Sequence, residues 1–222
     1  MFTAKPLHLT ALALVLSLLG VSLSGTSQPA ESDVINELRK AADQGDPQAQ
    51  YNLGLSYVRG EGVPKDDAEA AKWFRKAADQ GDATAQYMLG LSYATGEGVP
   101  KDDAEAVNWY RKAADQGHAP AQYSLGLSYA SGTGVPKDDS EAVKWFRKAA
   151  DQSLAEAQGM LGASYADGIG VPKDNVQAYV WLNLAGRTNE KARELRDTLA
   201  SEMSQSQIAE AQKLSRDWKP TP

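Results

Sequence analysis

Catalytic and metal sites are mostly assembled from histidine, cysteine and converging carboxylates, and this chain is poor in the first two. It has no cysteine and two histidines, His8 and His118. Disulfides, thiolate ligands and cysteine nucleophiles are therefore excluded. His8 lies in an apolar leader, which leaves His118 as the one imidazole of the remaining chain. His118 stands where the preceding units place Asp46 and Asp82 ahead of a helix, so it reads as a helix cap and not as a general base. Carboxylates gather in the loop GEGVPKDD, residues 60–67, which holds Glu61, Asp66 and Asp67. That loop lacks the calcium-loop spacing, and its aspartates precede a helix, whose dipole favours negative charge at that end. It also lacks the Gly-Lys-Ser/Thr ending of a phosphate loop, and no Ser-x-x-Lys occurs anywhere in the chain. The expectation is a protein with no catalytic residue, no metal and no cofactor.

The elements that carry these residues repeat. Tyr51, Tyr87 and Tyr123 recur every 36 residues, as do Trp73, Trp109, Trp145 and Trp181, and Gly54, Gly90, Gly126 and Gly162. A fixed period of this size marks a stacked array in which each unit buries its apolar face against its neighbours. One unit reads as two helices. Asp46 caps the first, Pro47 falls at its opening position, and Ala49, Leu53 and Tyr57 form a stripe at i, i+4 and i+8. Gly60 and Gly62 close it, and Pro64 prevents its resumption. Asp66 with Glu69 has the spacing of a capping box for the second helix, repeated as Asp102 with Glu105 and Asp138 with Glu141. The mid-helix glycine costs roughly 1 kcal/mol against alanine, which makes sense where two helices cross closely. The tryptophans are expected to fill the groove beside that crossing, with Phe74, Tyr110, Phe146 and Leu182 packing between units.

The chain has 222 residues and a net charge of −6. An acidic balance without a basic run argues against a nucleic-acid surface. Residues 1–30 hold one lysine, an apolar run from Leu7 to about Leu23, and small residues after it. These are the parts of a secretory signal peptide, with cleavage expected between Ser24 and Ala30. An uncleaved membrane anchor is the alternative, because the run approaches spanning length. Export to the periplasm or beyond follows from either reading.

The pattern A-x-x-x-L-G-x-x-Y-x-x-G-x-G-V-x-x-D, then A-x-x-W-x-x-x-A-A, runs from Ala49 and again from Ala85, Ala121 and Ala157. It resembles the Sel1-like repeat, a relative of the tetratricopeptide repeat. The resemblance implies an all-α solenoid of αα-hairpins in a right-handed superhelix, serving as an interaction scaffold. The expected organisation is a capping helix at 31–45, repeats at 46–81, 82–117, 118–153 and 154–188, and C-terminal capping helices at 189–218. The fourth repeat diverges, with Gly159 for tyrosine, Ser153-Leu154 for Gly-Asp, and an apolar second helix around Tyr179 to Leu184. An apolar helix needs a covering layer. Leu195 and Leu199, a Met203–Ile208 staple, Leu214 and Trp218 are expected to supply it.

Some positions on the first helices change while the frame stays fixed. They are Gln48, Asn52 and Arg59; Thr84, Met88 and Thr95; Pro120, Ser124 and Ser131; Glu156, Met160 and Asp167. Offsets of 4 and 11 bring them to nearly one azimuth. This strip is the candidate contact for a protein or peptide partner in the cell envelope. A glycan-binding module, suggested by the aromatic content, and a cell-wall hydrolase, which would need a carboxylate pair with a raised pKa, are the alternatives.

Overall fold

The computed structural model describes residues 31–221, so the leader at 1–30 lies outside the described residues. Among these there are eleven helices: α1 (Glu31–Asp43), α2 (Pro47–Arg59), α3 (Asp67–Asp79), α4 (Ala83–Thr95), α5 (Asp103–Asp115), α6 (Ala119–Ser131), α7 (Asp139–Asp151), α8 (Ala155–Asp167), α9 (Asn175–Ala185), α10 (Glu190–Ser201) and α11 (Gln205–Asp217). The architecture is an all-α solenoid. Helices α2/α3, α4/α5, α6/α7 and α8/α9 form four αα-hairpins, and each second helix packs on the first helix of the next unit.

Local chemistry explains the boundaries. The Asp46 side chain accepts from the Ala49 N–H at 2.8 Å and Asp82 from Ala85 at 2.7 Å. His118 takes the same place, its Nδ1 accepting from Ala121 at 3.2 Å. Each relieves one of the orphan donors that open a helix. First helices end on Gly60, Gly96, Gly132 and Gly168 in the left-handed conformation, with φ of 71°, 81°, 77° and 72°. The second helices open on Asp66, Asp102, Asp138 and Asp174, each in extended conformation and each accepting from the amide three residues on.

The glycine crossing is real, but its filler differs from the expectation. A β-carbon on Gly54 would stand 2.6 Å from the Phe74 ring, and one on Gly90 or Gly126 equally close to Tyr110 or Phe146. Phe74 and its counterparts therefore fill the crossing inside the unit. The tryptophans point back across the seam instead: Trp109 joins the cluster of Ala70, Phe74, Ala77 and Leu89, and Trp145 that of Ala106, Tyr110, Ala113 and Leu125. Adjacent residues on a helix differ by about 100° in azimuth, so both assignments suit the spacing. The crossing geometry chooses between them.

At the C-terminal end, the largely apolar α9 is covered by α10 and α11. Ala192, Leu199, Met203 and Ala211 join its cluster, with Ile208 and Trp218 packed beside them. Leu195 and Leu214 do not take part: they are 45% and 40% exposed. The inward side of α11 is made by Ala211 and Ser215, small residues that allow close approach to α9. Ser204 and Gln207 form the reciprocal capping box.

Candidate partner-binding face

The first helices are held in register by two ladders of polar contacts. Gln50, Gln86, Gln122 and Gln158 are buried, and each donates to the carbonyl eight residues earlier at 3.0–3.2 Å. The amides of Gln80, Gln116 and Gln152 then donate to the Oε1 of Gln50, Gln86 and Gln122 at 2.7, 2.8 and 2.9 Å. Every buried glutamine thus ties its helix to the preceding unit and, in the first three units, to its own partner helix. Further along the same seams, Arg39 and Arg111 donate to the hydroxyls of Tyr57 and Tyr129 at 3.0 and 2.7 Å. Arg75 with Tyr93 and Arg147 with Tyr165 repeat the pairing. Lys76, Lys112 and Lys148 lie over Trp73, Trp109 and Trp145 at 3.5–3.8 Å from the ring centres, where the ring quadrupole attracts the ammonium group.

On this frame all twelve strip residues remain accessible. Gln48, Arg59, Thr95, Ser131, Glu156 and Asp167 are exposed, whereas Asn52, Thr84, Met88, Pro120, Ser124 and Met160 are half-buried. They are not equally free. The hydroxyls of Thr95 and Ser131 turn back onto the Leu91 and Leu127 carbonyls at 3.0 and 2.9 Å. Gln48 donates to Asn52 at 3.3 Å, and Arg59 lies 3.7 Å from Glu61. Met88 packs against the cluster around Phe74 and Met160 against that around Phe146, so part of each side chain supports the seam.

Leu55, Leu91 and Leu127 complete the face; they are identical in the first three units, so variation between those units does not mark them. They sit three residues after Asn52, Met88 and Ser124, between these and the outer end of the helix, and so share the strip's azimuth. Leu55 and Leu91 are half-buried and Leu127 is 37% exposed. Their signal is the helical spacing itself. Ala163 takes this place in the fourth unit.

The electrostatics divide the molecule. The four first helices carry only three charged side chains, Arg59, Glu156 and Asp167. Helices α3, α5 and α7 carry five or six each, many in exposed ion pairs such as Lys72–Glu69 and Lys144–Glu141. Pairs of that kind contribute little to stability. The first-helix face is thus a nearly uncharged track with a line of leucine and methionine along it.

Chemistry beyond binding finds little material among the described residues. No three His, Cys, Asp or Glu side chains converge on a metal-sized site. His118 is committed to its cap, and burial lowers its pKa below the usual imidazole range. Asp151 is pushed up by burial, but the charge acting on it is Arg147, not a second carboxylate. The four repeat tryptophans are at most 8% exposed and offer no stacking platform to a sugar. No described helix is long and apolar enough to cross a membrane.

The Sel1 repeat family model matches residues 38–46, 47–82, 83–118, 119–154 and 155–187. Among solved structures, a protective antigen present in uropathogenic Escherichia coli strains and displaying an SLR fold superposes with a TM-score of 0.81. It is 37% identical over 94% of this chain and 44% of its own. A Sel1 repeat protein from Oxalobacter formigenes superposes with a TM-score of 0.70, at 40% identity over 76% of this chain and 49% of its own. The chain therefore spans about half the length of these two proteins. An immunity protein from Pseudomonas aeruginosa shares the fold at 19% identity, with a TM-score of 0.52 over all of this chain and 91% of its own. No curated protein matches.

Proposed function

The chain belongs to the Sel1 repeat family, and we propose that it is a non-enzymatic scaffold of the cell envelope that binds a protein partner on its first-helix face. Sel1 repeats commonly serve protein–protein interaction, and the site, not the fold, must supply the rest. The observation that carries this reading is the segregation of charge. A face lined by Leu91, Leu127, Met88 and Met160, with small polar residues between them, suits an uncharged peptide or the apolar side of an amphipathic helix. Lysine and glutamate are depleted at the cores of interfaces, and methionine is enriched. The exposed charges of α3, α5 and α7 suit a solvated back. The leader at 1–30 supports an envelope location, periplasmic or secreted.

Photocrosslinking in cells tests the reading, with the probe at Asn52 or Met88 and control probes at Lys72 and Lys144. A dominant protein adduct formed from the first-helix probes and not from the controls is the expected result. Equal adducts from both faces, or none from the first-helix probes, would overturn it.

A further inference from the structure

The end of the chain does more than cover α9. Helix α11 stops at Asp217, and Trp218 leaves it at φ −63° and ψ 137°, the extended polyproline geometry. Pro220 keeps the segment from returning to helix. The segment runs back until the Thr221 N–H donates to the Asp151 carbonyl at 2.9 Å. Asp151 is the last residue of α7, and its carbonyl is one of the acceptors that a helix end leaves without an intrahelical partner. Beside this bond lies an open cleft of about 460 Å³, walled by Gln116, Gln122, Lys148, Asp151, Gln152 and Thr221.

The same residue types recur at the junction one unit earlier, as Gln80, Gln86, Lys112, Asp115 and Gln116. Among the described residues no tail reaches that junction, and two details differ there. Asp115 is exposed whereas Asp151 is half-buried. Gln80 and Gln116 turn their second contact to carbonyls of their own helices at 3.4 and 3.5 Å, whereas Gln152 reaches the Gly117 carbonyl at 2.9 Å. Trp218 anchors the tail. Its ring meets Trp181 edge-on at 6.1 Å and closes a cleft lined by Ser153, Gln158, Leu184 and Thr188. Thr188 stands 30 residues after Gln158, where the earlier units place the second glutamine of the ladder.

We propose that the glutamine-lined edge at the end of α7 is a docking site for an extended peptide of the form aromatic-x-Pro-x, and that Trp218–Thr221 is its resident occupant. The tail shows what the edge recognises: an aromatic ring in the cleft over Thr188, a proline that holds the backbone extended, and an N–H for the helix-end carbonyl. A backbone donor on a helix-end acceptor is independent of side chain, so ring and proline set the specificity. The strap makes the site self-occupied, and a partner carrying the same pattern gains access only by displacing it. This contact is separate from the first-helix face.

The test uses protein expressed from the whole sequence and a synthetic peptide, Asp-Trp-Lys-Pro-Thr-Pro, copied from residues 217–222. In the unaltered protein the Thr221 amide should exchange at least about tenfold more slowly than in the free peptide. The peptide should shift the side-chain amide resonances of Gln116 and Gln152 saturably in a chain lacking residues 218–222. Thr221→Pro, which removes the donor and leaves Trp218 and Pro220 in place, should bind the peptide more tightly than the unaltered protein and less tightly than the deletion. Exchange of Thr221 at the free-peptide rate would overturn the proposal, as would a folded deletion chain whose Gln152 ignores the peptide. If the deletion chain does not fold, Thr221 exchange decides alone. Neither readout involves Asn52 or Met88, so failure here and failure of the first-helix face are told apart.

Discussion

Gln116 donates its side-chain amide to Gln86 at 2.8 Å across 30 residues of sequence, and Gln86 in turn donates to the Ala78 carbonyl at 3.1 Å. One buried side chain thereby joins three helices. Gln86→Leu would keep the volume, leave the Ala78 carbonyl with its Gly81 N–H at 3.0 Å alone, and release Gln116 to solvent. Each lost intramolecular hydrogen bond costs about 0.5–1.5 kcal/mol. Chemical denaturation should show a loss of that size, spread across the second and third units because each unit's stability depends on its neighbours.

Two glycines in equivalent helices should respond in opposite directions to alanine. At Gly90 the added carbon would meet the Tyr110 ring at 2.6 Å and the Ala106 carbonyl at 3.3 Å. Overpacking costs about 1–3 kcal/mol, which exceeds the roughly 1 kcal/mol of helix propensity gained, so Gly90→Ala destabilises. Gly159 would meet only the Ala185 side chain, at 4.0 Å. There the propensity term stands alone, and Gly159→Ala should stabilise by up to about 1 kcal/mol. Paired urea melts separate the two.

His118 makes the third unit sensitive to acid. Burial holds its folded pKa below the ordinary value, and its Nδ1 must be unprotonated to accept from Ala121. As pH falls below about 6.5, the unfolded chain takes up the proton first, so stability falls with pH until the folded group also titrates. The contribution is present above the unfolded pKa and lost as pH falls through the folded one. The denaturation midpoint should drop between about pH 7 and pH 5. His118→Asp, which restores the residue of the earlier units, should abolish the drop in that window.

Ser153 holds φ at 69°, where the equivalent Gly45, Gly81 and Gly117 lie at 94°, 94° and 88°. A left-handed residue other than glycine costs about 1–2 kcal/mol, partly offset by the larger unfolded-state freedom of glycine. Ser153→Gly should raise stability by about 0.5–1 kcal/mol, read as a rise in melting temperature. The neighbouring Leu154, which offers no side-chain cap, packs on the C-terminal core and should not tolerate aspartate equally well.

Partner binding on an uncharged face should be nearly indifferent to salt. Raising ionic strength from about 0.05 to 0.5 M should change the affinity of the crosslinked partner less than about threefold. Leu91→Asp should abolish binding, while circular dichroism shows the helices intact. A steep salt dependence would place the contact on the charged helices α3, α5 and α7 instead.

Much of this architecture is written locally. Asp46, Asp66 and their equivalents cap, Gly60 and its equivalents stop, and the 36-residue period repeats both, so helix number, pairing and fold class follow from short-range chemistry. His118 as a cap was legible for the same reason, since it fills a slot that its neighbours define. The inner and outer neighbours of Trp73 and Phe74 were not legible, because two adjacent apolar residues are equally able to face a crossing or a seam. Only the crossing that Gly54 permits settles that Phe74 enters it and Trp73 turns back. The exposure of Leu195 and Leu214 likewise depends on how α10 and α11 lie over α9. The face itself is half local: spacing aligns Asn52, Leu55 and Arg59, but which of them stay accessible depends on neighbouring units. The tail on Asp151 is wholly tertiary, since no pattern near Thr221 names an acceptor 70 residues away. Caps and periods act within a few residues, whereas burial and long-range pairing exist only once the helices have stacked.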